Sequence, residues 1–227
     1  MALTDVAIER IKDMIRTGEL KPGDKLPREP DLAQSLGLSR NSLREAVKAL
    51  SAINILTVRQ GDGTYVTSLE PRLLLETLAF MVDFHRDDTV LEFLEVRRIL
   101  EPAAAAKCAQ LMPDDDVVAL RELLDGLGPD PTIEELVEND LEFHRRIAAG
   151  SGNTVLASLI ESLSGPTARA RVWRGMTQDA AIERTLSEHR SILEAIQQRQ
   201  PEAARSWTTV HIGGVEQWLQ DTLTERS

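Results

Sequence analysis

Apolar residues recur at helical spacing through most of the chain. Val6, Ile8, Ile11 and Ile15 outline a first amphipathic helix that stops at Gly18. "EPDLAQSLG" predicts a short helix ended by Gly37. "LSRNSLREAVKALSAIN" predicts a third, with Leu43, Val47 and Leu50 on one face and Ser39 as N-cap. Two short extended runs, "ILTVR" and "GTYVT", flank "QGDG" and predict a hairpin. Beyond residue 69 the pattern is helical only. Helices are predicted near 71–84, 88–110, 113–126, 132–150, 153–175, 178–198 and 201–223, with "GLGPDPT" and "GSGN" marking two of the breaks. The chain is therefore expected to be mainly α. A compact unit over 1–68 and a linker over 69–74 precede an antiparallel all-α helical bundle over 75–223.

One of these helices breaks the usual division of faces. Around "VENDLEFHRR" the apolar stripe runs Ile133, Leu136, Val137, Leu141, Ile147 and Ala148. Asp140 and His144 lie inside that stripe, one turn apart, so both side chains rise from the buried face. His189 falls in register with Ile182, Leu186, Leu193 and Ile196, and His211 with Trp207, Gly214 and Trp218. The remaining histidine, His85 in "DFHRDD", falls at a helix end and reads as solvated. A single inward histidine is ordinarily a hydrogen-bonded core residue. Four polar groups from three helices are a different matter, because each costs several kcal/mol, on a rough scale, if buried without a partner. One carboxylate and three imidazoles suit a divalent transition metal, zinc first, with nickel, manganese or iron as alternatives.

Composition narrows the setting. Of 227 residues, 42% are hydrophobic and 4% aromatic, which suits a helical core. The single cysteine, Cys108, rules out a disulfide framework. Neither a signal-peptide pattern nor a run of membrane-spanning length is seen, so a cytoplasmic, membrane-free protein is expected. The net charge of −11 argues against nucleic acid, but it is unevenly placed. Residues 1–68 hold ten Lys/Arg against nine Asp/Glu, a net of +1, and the remainder carries −12. Such asymmetry points to two domains with different partners.

The N-terminal unit has the grammar of a winged helix-turn-helix. A short helix, a glycine turn and a second helix follow in order, and that second helix enters the DNA major groove by its N-terminal end. That end carries Ser39, Arg40, Asn41, Ser42 and Arg44. Arginine offers a fork to guanine or phosphate, and asparagine can pair with adenine. The hairpin would be the wing, where Gly61 and Gly63 let backbone approach the duplex.

"KPGDKLPREPDLAQSLGLSRNSLREAVKALSAINILTVRQGDGTYV" resembles the DNA-binding domain of the GntR family of bacterial transcriptional regulators. The resemblance implies DNA contacts from Arg40 and Arg44, with Ser39 and Asn41 beside them and Gly61 at the wing tip. Arg28 and Pro30 stand where the family usually has a small capping residue and then an arginine. Either Arg28 substitutes for that arginine or one contact is lost. Residues from about 72 to 222 resemble the FCD effector domain of the FadR branch, through "DLEFHRRI", "GSGN", "SEHRSILEAI" and the final-helix histidine. That resemblance implies metal ligation by Asp140, His144, His189 and His211, with an organic acid bound at open coordination positions. In "LEVRRILEPAAAAKCA" helical register leaves open whether Arg97 or Arg98 faces inward. The family pattern selects Arg97, paired with Glu101, as a carboxylate clamp. Asn153 and Arg171 are further effector-binding candidates, with Arg169 or Arg174 as alternatives to Arg171.

These readings converge on a repressor that binds a pseudopalindromic double-stranded operator as a homodimer and responds to a small carboxylic acid. The alternatives are the same regulator with a purely structural or directly sensed metal and, less favoured, a metal-dependent enzyme on the same ligands. The chain offers no clear spare general base for the enzyme reading, apart from Glu101.

Overall fold

The computed structural model describes residues 3–69, 87–128, 131–178 and 180–225. The helix predicted near 71–84 and His85 lie outside them, as does the side chain of Arg169. Contacts divide the chain into two compact units, residues 1–74 and 75–227.

In the first unit, α1 (Leu3–Arg16), α2 (Glu29–Leu36) and α3 (Arg40–Ala52) precede the strands β1 (Leu56–Arg59) and β2 (Gly63–Val66). The amphipathic faces meet in one core of Ile11, Leu32, Leu43, Val47 and Leu50, closed by Leu56 and Val66 from the strands. Local chemistry sets the boundaries. Pro30 sits in the first turn of α2, where its missing N–H has no intrahelical partner to lose. Gly37 ends α2 at φ 66°, a left-handed conformation that glycine adopts without a Cβ clash. Ser39 then caps α3, its Oγ accepting from the Ser42 N–H at 3.0 Å. The strands pair antiparallel, Leu56 opposite Val66 and Arg59 opposite Gly63.

The second unit contains α4 (Asp87–Leu111), α5 (Asp114–Asp125), α6 (Ile133–Gly150), α7 (Thr154–Thr177), α8 (Ala181–Gln197) and α9 (Pro201–Glu225). Helix α4 runs through Pro102 without a break. The start of α6 is fixed by a capping box, in which Thr132 accepts from the Glu135 N–H and the Glu135 carboxylate accepts from the Thr132 N–H. Three aspartates in the first turn of α5 complement its dipole. The largest apolar cluster joins α4, α5, α6 and α8 through Cys108, Leu120, Phe143, Ile192 and Ile196. A second gathers Leu94, Ala170, Val215 and Leu219. The polar groups described next lie among these apolar residues.

Candidate functional site

Helix α6 buries Asn139, Asp140, Phe143, His144, Ile147 and Ala148 on one face. Helix α8 buries His189 beside Ile192 and Leu193, and α9 buries His211 between Thr208 and Ile212. Within this interior one donor atom from each of Asp140, His144, His189 and His211 lies within 4.8 Å of the others. His211 Nε2 is 3.1 Å from His144 Nε2 and 3.3 Å from His189 Nε2. Asp140 Oδ1 is 3.4 Å from His189 Nε2 and 3.7 Å from the Nε2 atoms of His144 and His211.

The outer atoms of these side chains are held as well. His144 Nδ1 lies 2.6 Å from Glu101 Oε2, and His211 Nδ1 lies 2.9 Å from Glu188 Oε2. A carboxylate at Nδ1 favours the proton there and turns the Nε2 lone pair toward the centre. The Phe143 ring stacks on His189, with centroids 4.3 Å apart, and fixes its plane. Asp140 Oδ2 accepts from Arg171 Nη1, leaving Oδ1 for the centre.

Burial and the neighbouring charges shift these groups in different directions. Burial, with the neighbouring His211 adding to it, pushes His189 down to about 3, so its ring is neutral at pH 7. Burial also opposes the charged form of His144, but Glu101 and Asp140 outweigh it and raise its pKa. Burial would raise Asp140 too, yet Arg171 and His144 hold it well below the usual carboxylate range. Lone pairs and a carboxylate oxygen converge here with carboxylates behind two of the rings. This arrangement fits a divalent transition metal in both chemistry and spacing. Donors bound at about 2.0–2.1 Å stand about 3.0–3.4 Å apart at adjacent positions around a metal; five of the six separations here run from 3.1 to 3.7 Å, and all four donors lie within 4.8 Å.

Asp140 and His211 also form part of the wall of a cavity of about 50 Å³, together with Arg171, Arg174 and the apolar side chains of Ile133, Leu136, Ile182 and Val215. The other expected effector residues are placed differently. Arg97 is the inward arginine, only 1% exposed, whereas Arg98 pairs with Glu216 in a partly exposed position. Arg97 is not among the cavity-lining residues, however. Its Nε donates to Glu101 and its Nη1 to Thr167 Oγ1 at 2.7 Å, so it braces the carboxylate behind His144. Arg171 reaches the cavity but donates to Asp140, the Ser164 carbonyl and Thr167. Asn153 does not line the cavity. It is exposed and caps α7, its Oδ1 accepting from the Leu156 N–H at 3.1 Å.

Glu188 and Thr167 were not singled out from sequence. Glu188 stands next to His189 and so about 100° around the helix from it. No periodicity marks it as the partner of a histidine on another helix.

On α3 of the first unit, Arg40, Asn41 and Arg44 are exposed near its N-terminus. Ser39 and Ser42 are engaged in the cap, and their hydroxyls are 2.8 Å apart. Arg44 donates to Glu29 Oε2 from Nη2 at 3.0 Å, and Arg28 is exposed at the start of α2. At the hairpin tip Gly61 adopts φ 76°. A Cβ at Gly63 would come within 2.6 Å of Lys25 Cε, the far end of a flexible, exposed side chain that could move aside. Lys25 in turn binds Asp62 at 2.7 Å, and Asp62 accepts from the Tyr65 hydroxyl at 2.6 Å, which ties the tip to the body of the unit.

Comparison with known proteins adds two family matches. Residues 3–66 match the model of bacterial regulatory proteins, gntR family, and residues 92–214 match the FCD domain. The chain is 31% identical over 218 residues to the HTH-type transcriptional regulator LutR of Bacillus subtilis (strain 168), spanning 93% of this chain and 99% of that protein. It is 26% identical over 207 residues to the galactonate operon transcriptional repressor of Escherichia coli (strain K12), spanning 88% and 90%. Among solved structures, Streptococcus agalactiae GntR superposes with a TM-score of 0.73 at 29% identity, covering 94% of this chain and 99% of that one.

Proposed function

Because the chain belongs to the GntR family of bacterial transcriptional regulators, carries an FCD domain and is not an enzyme, we propose that a small carboxylic acid controls its DNA binding. The acid binds at a metal site formed by Asp140, His144, His189 and His211. The observation that carries this reading is the convergence of four buried donor atoms, with two of their residues, Asp140 and His211, on the wall of a cavity that two arginines also line. A divalent metal, zinc before nickel, manganese or iron, would supply a Lewis-acid position for a carboxylate oxygen. The protein's own part is to orient the donors through Glu101, Glu188 and Arg171 and to keep bulk water out with the apolar walls.

In this proposal the protein is a cytoplasmic repressor. It works as a homodimer on a pseudopalindromic operator, which mirrors two-fold symmetry. Arg40, Arg44 and Asn41 meet the duplex from α3, with Arg28, Ser39, Ser42, Gly61 and Gly63 supporting. The acid shifts the balance between DNA-competent and released arrangements by binding one of them better. A relative whose name is that of a galactonate operon repressor supports an acid as the signal. Among the described residues no helix is long and apolar enough to cross a membrane.

The test is thermal unfolding of metal-loaded and chelated protein against a panel of small acids. A ligand that binds only the folded state raises the midpoint with its occupancy. The expected result is an acid that stabilises the loaded protein and loses its effect after chelation. If chelation lowers the midpoint while no acid shifts either sample, the metal is a staple or is itself the signal, and the acid has to be abandoned.

A further inference from the structure

Helix α7 sends two arginines to the cavity, and their donors are differently committed. The Arg171 guanidinium is occupied by Asp140, the Ser164 carbonyl and Thr167. Arg174 is 3% exposed and donates from Nε to Gln178 Oε1 at 2.6 Å. Its Nη1 and Nη2 are buried with no hydrogen-bond partner among the described residues. A guanidinium keeps its charge at any ordinary pH, so two idle donors in an apolar wall are costly unless an anion completes them. Arg174 Nη2 lies 3.7 Å from where a Cβ on Gly214 would stand, and Gly214 is one turn beyond His211 on α9. The guanidinium therefore stands close to α9 at Gly214, on the same cavity wall as Asp140 and His211.

Building on the proposed effector site, we infer that Arg174 receives the carboxylate of the effector, and that this effector is a short acid with an aliphatic body rather than a polyhydroxy acid. A planar fork with two free N–H groups matches a carboxylate bidentately. The cavity, about 50 Å³, suits a molecule of few carbons. Its walls supply little else to a polar ligand. Among the described lining residues Thr185 has the one hydroxyl, and Ile133, Leu136, Val137, Ile182 and Val215 are aliphatic. One hydroxyl on the ligand can be satisfied there. A chain of several would be stripped of water without replacement.

The experiment is calorimetric titration of the full-length, metal-loaded protein with propionate, L-lactate and gluconate, comparing the unaltered chain with Arg174→Gln and Arg174→Lys at matched metal occupancy. Propionate or L-lactate is expected to bind at least about tenfold tighter than gluconate. Arg174→Gln should weaken that binding about ten- to a hundredfold, and Arg174→Lys should recover part of the loss. Unchanged affinity in Arg174→Gln overturns the role of Arg174 and leaves the metal-and-acid reading standing. Gluconate binding tighter than both short acids overturns the aliphatic class. No acid binding to the unaltered, metal-loaded chain removes the effector site and this inference with it. Should Arg174→Gln fail to fold, propionamide is compared with propionate on the unaltered chain. Equal affinity for the neutral analogue overturns the arginine anchor, and a loss of about tenfold or more supports it.

Discussion

Among the described residues, 3–69 bury no polar or charged residue, whereas the helical bundle buries fourteen between Arg97 and His211. The N-terminal core is aliphatic throughout, and its ion pairs, such as Arg44–Glu29 and Lys25–Asp62, lie on the surface. In the bundle, Arg97, Glu101, His144, Asp140 and Arg171 form a continuous chain of polar contacts inside the protein. The difference separates two ways of hosting chemistry. A surface that reads DNA can change its side chains at little cost to folding, since exposed substitutions move stability by about 0.5 kcal/mol or less. An interior that binds a cation must fold around its own charges, so ligand affinity and stability are coupled there.

The sharpest break of that coupling is to remove a donor. His144→Ala should lower metal affinity by more than about a hundredfold, beyond the effect typical of outer partners. A metal at about a thousand times its Kd adds about 4 kcal/mol to unfolding, and a hundredfold loss of affinity should remove about 2.7 kcal/mol of this from the variant at the same metal concentration. Denaturation with and without metal checks both. A variant that keeps the full metal response would detach the cluster from metal binding.

Glu188→Gln probes the layer behind. The change keeps a polar partner for His211 Nδ1 but removes the charge that steadies it at 2.9 Å. Metal affinity should fall about ten- to a hundredfold with the helical content retained. An unaltered affinity would make Glu188 a bystander to the centre.

Arg40→Ala tests the other side of the comparison. Operator affinity should drop about tenfold while the unfolding midpoint stays where it was, because Arg40 is exposed. A lowered midpoint of similar weight would show that the two units do not differ as described.

What could be read from sequence follows the same division. Periodicity and capping marked the helices, because an amphipathic stripe and a residue such as Ser39 act locally. The Asp140/His144 pair was visible because a four-residue spacing within an apolar stripe is itself a geometric statement. The layer behind it was not, since Glu188 meets His211 only when α8 and α9 pack. Nor could spacing assign the arginines. Arg97 and Arg171 are both expected at the effector, but they brace Glu101 and Asp140, and of the two arginines on the cavity wall it is Arg174 that has uncommitted donors. A motif likewise carried Asn153 toward the cavity, although an asparagine before a helix is equally the residue that satisfies an orphan N–H.

That last pair of roles can be separated by a small, well-defined effect. If Asn153 acts as a cap, Asn153→Ala should cost about 1 kcal/mol, because the Leu156 N–H loses its acceptor, and Asn153→Ser should restore most of it. Acid affinity measured on metal-loaded protein should be the same in both variants, since the side chain lies off the cavity wall. The serine variant is the discriminating one. It keeps a capping oxygen but loses the amide, so a fall in acid affinity at an unchanged midpoint would return Asn153 to the binding site. An unchanged affinity leaves it as a residue that positions α7, and with it the arginines that α7 carries to the interior.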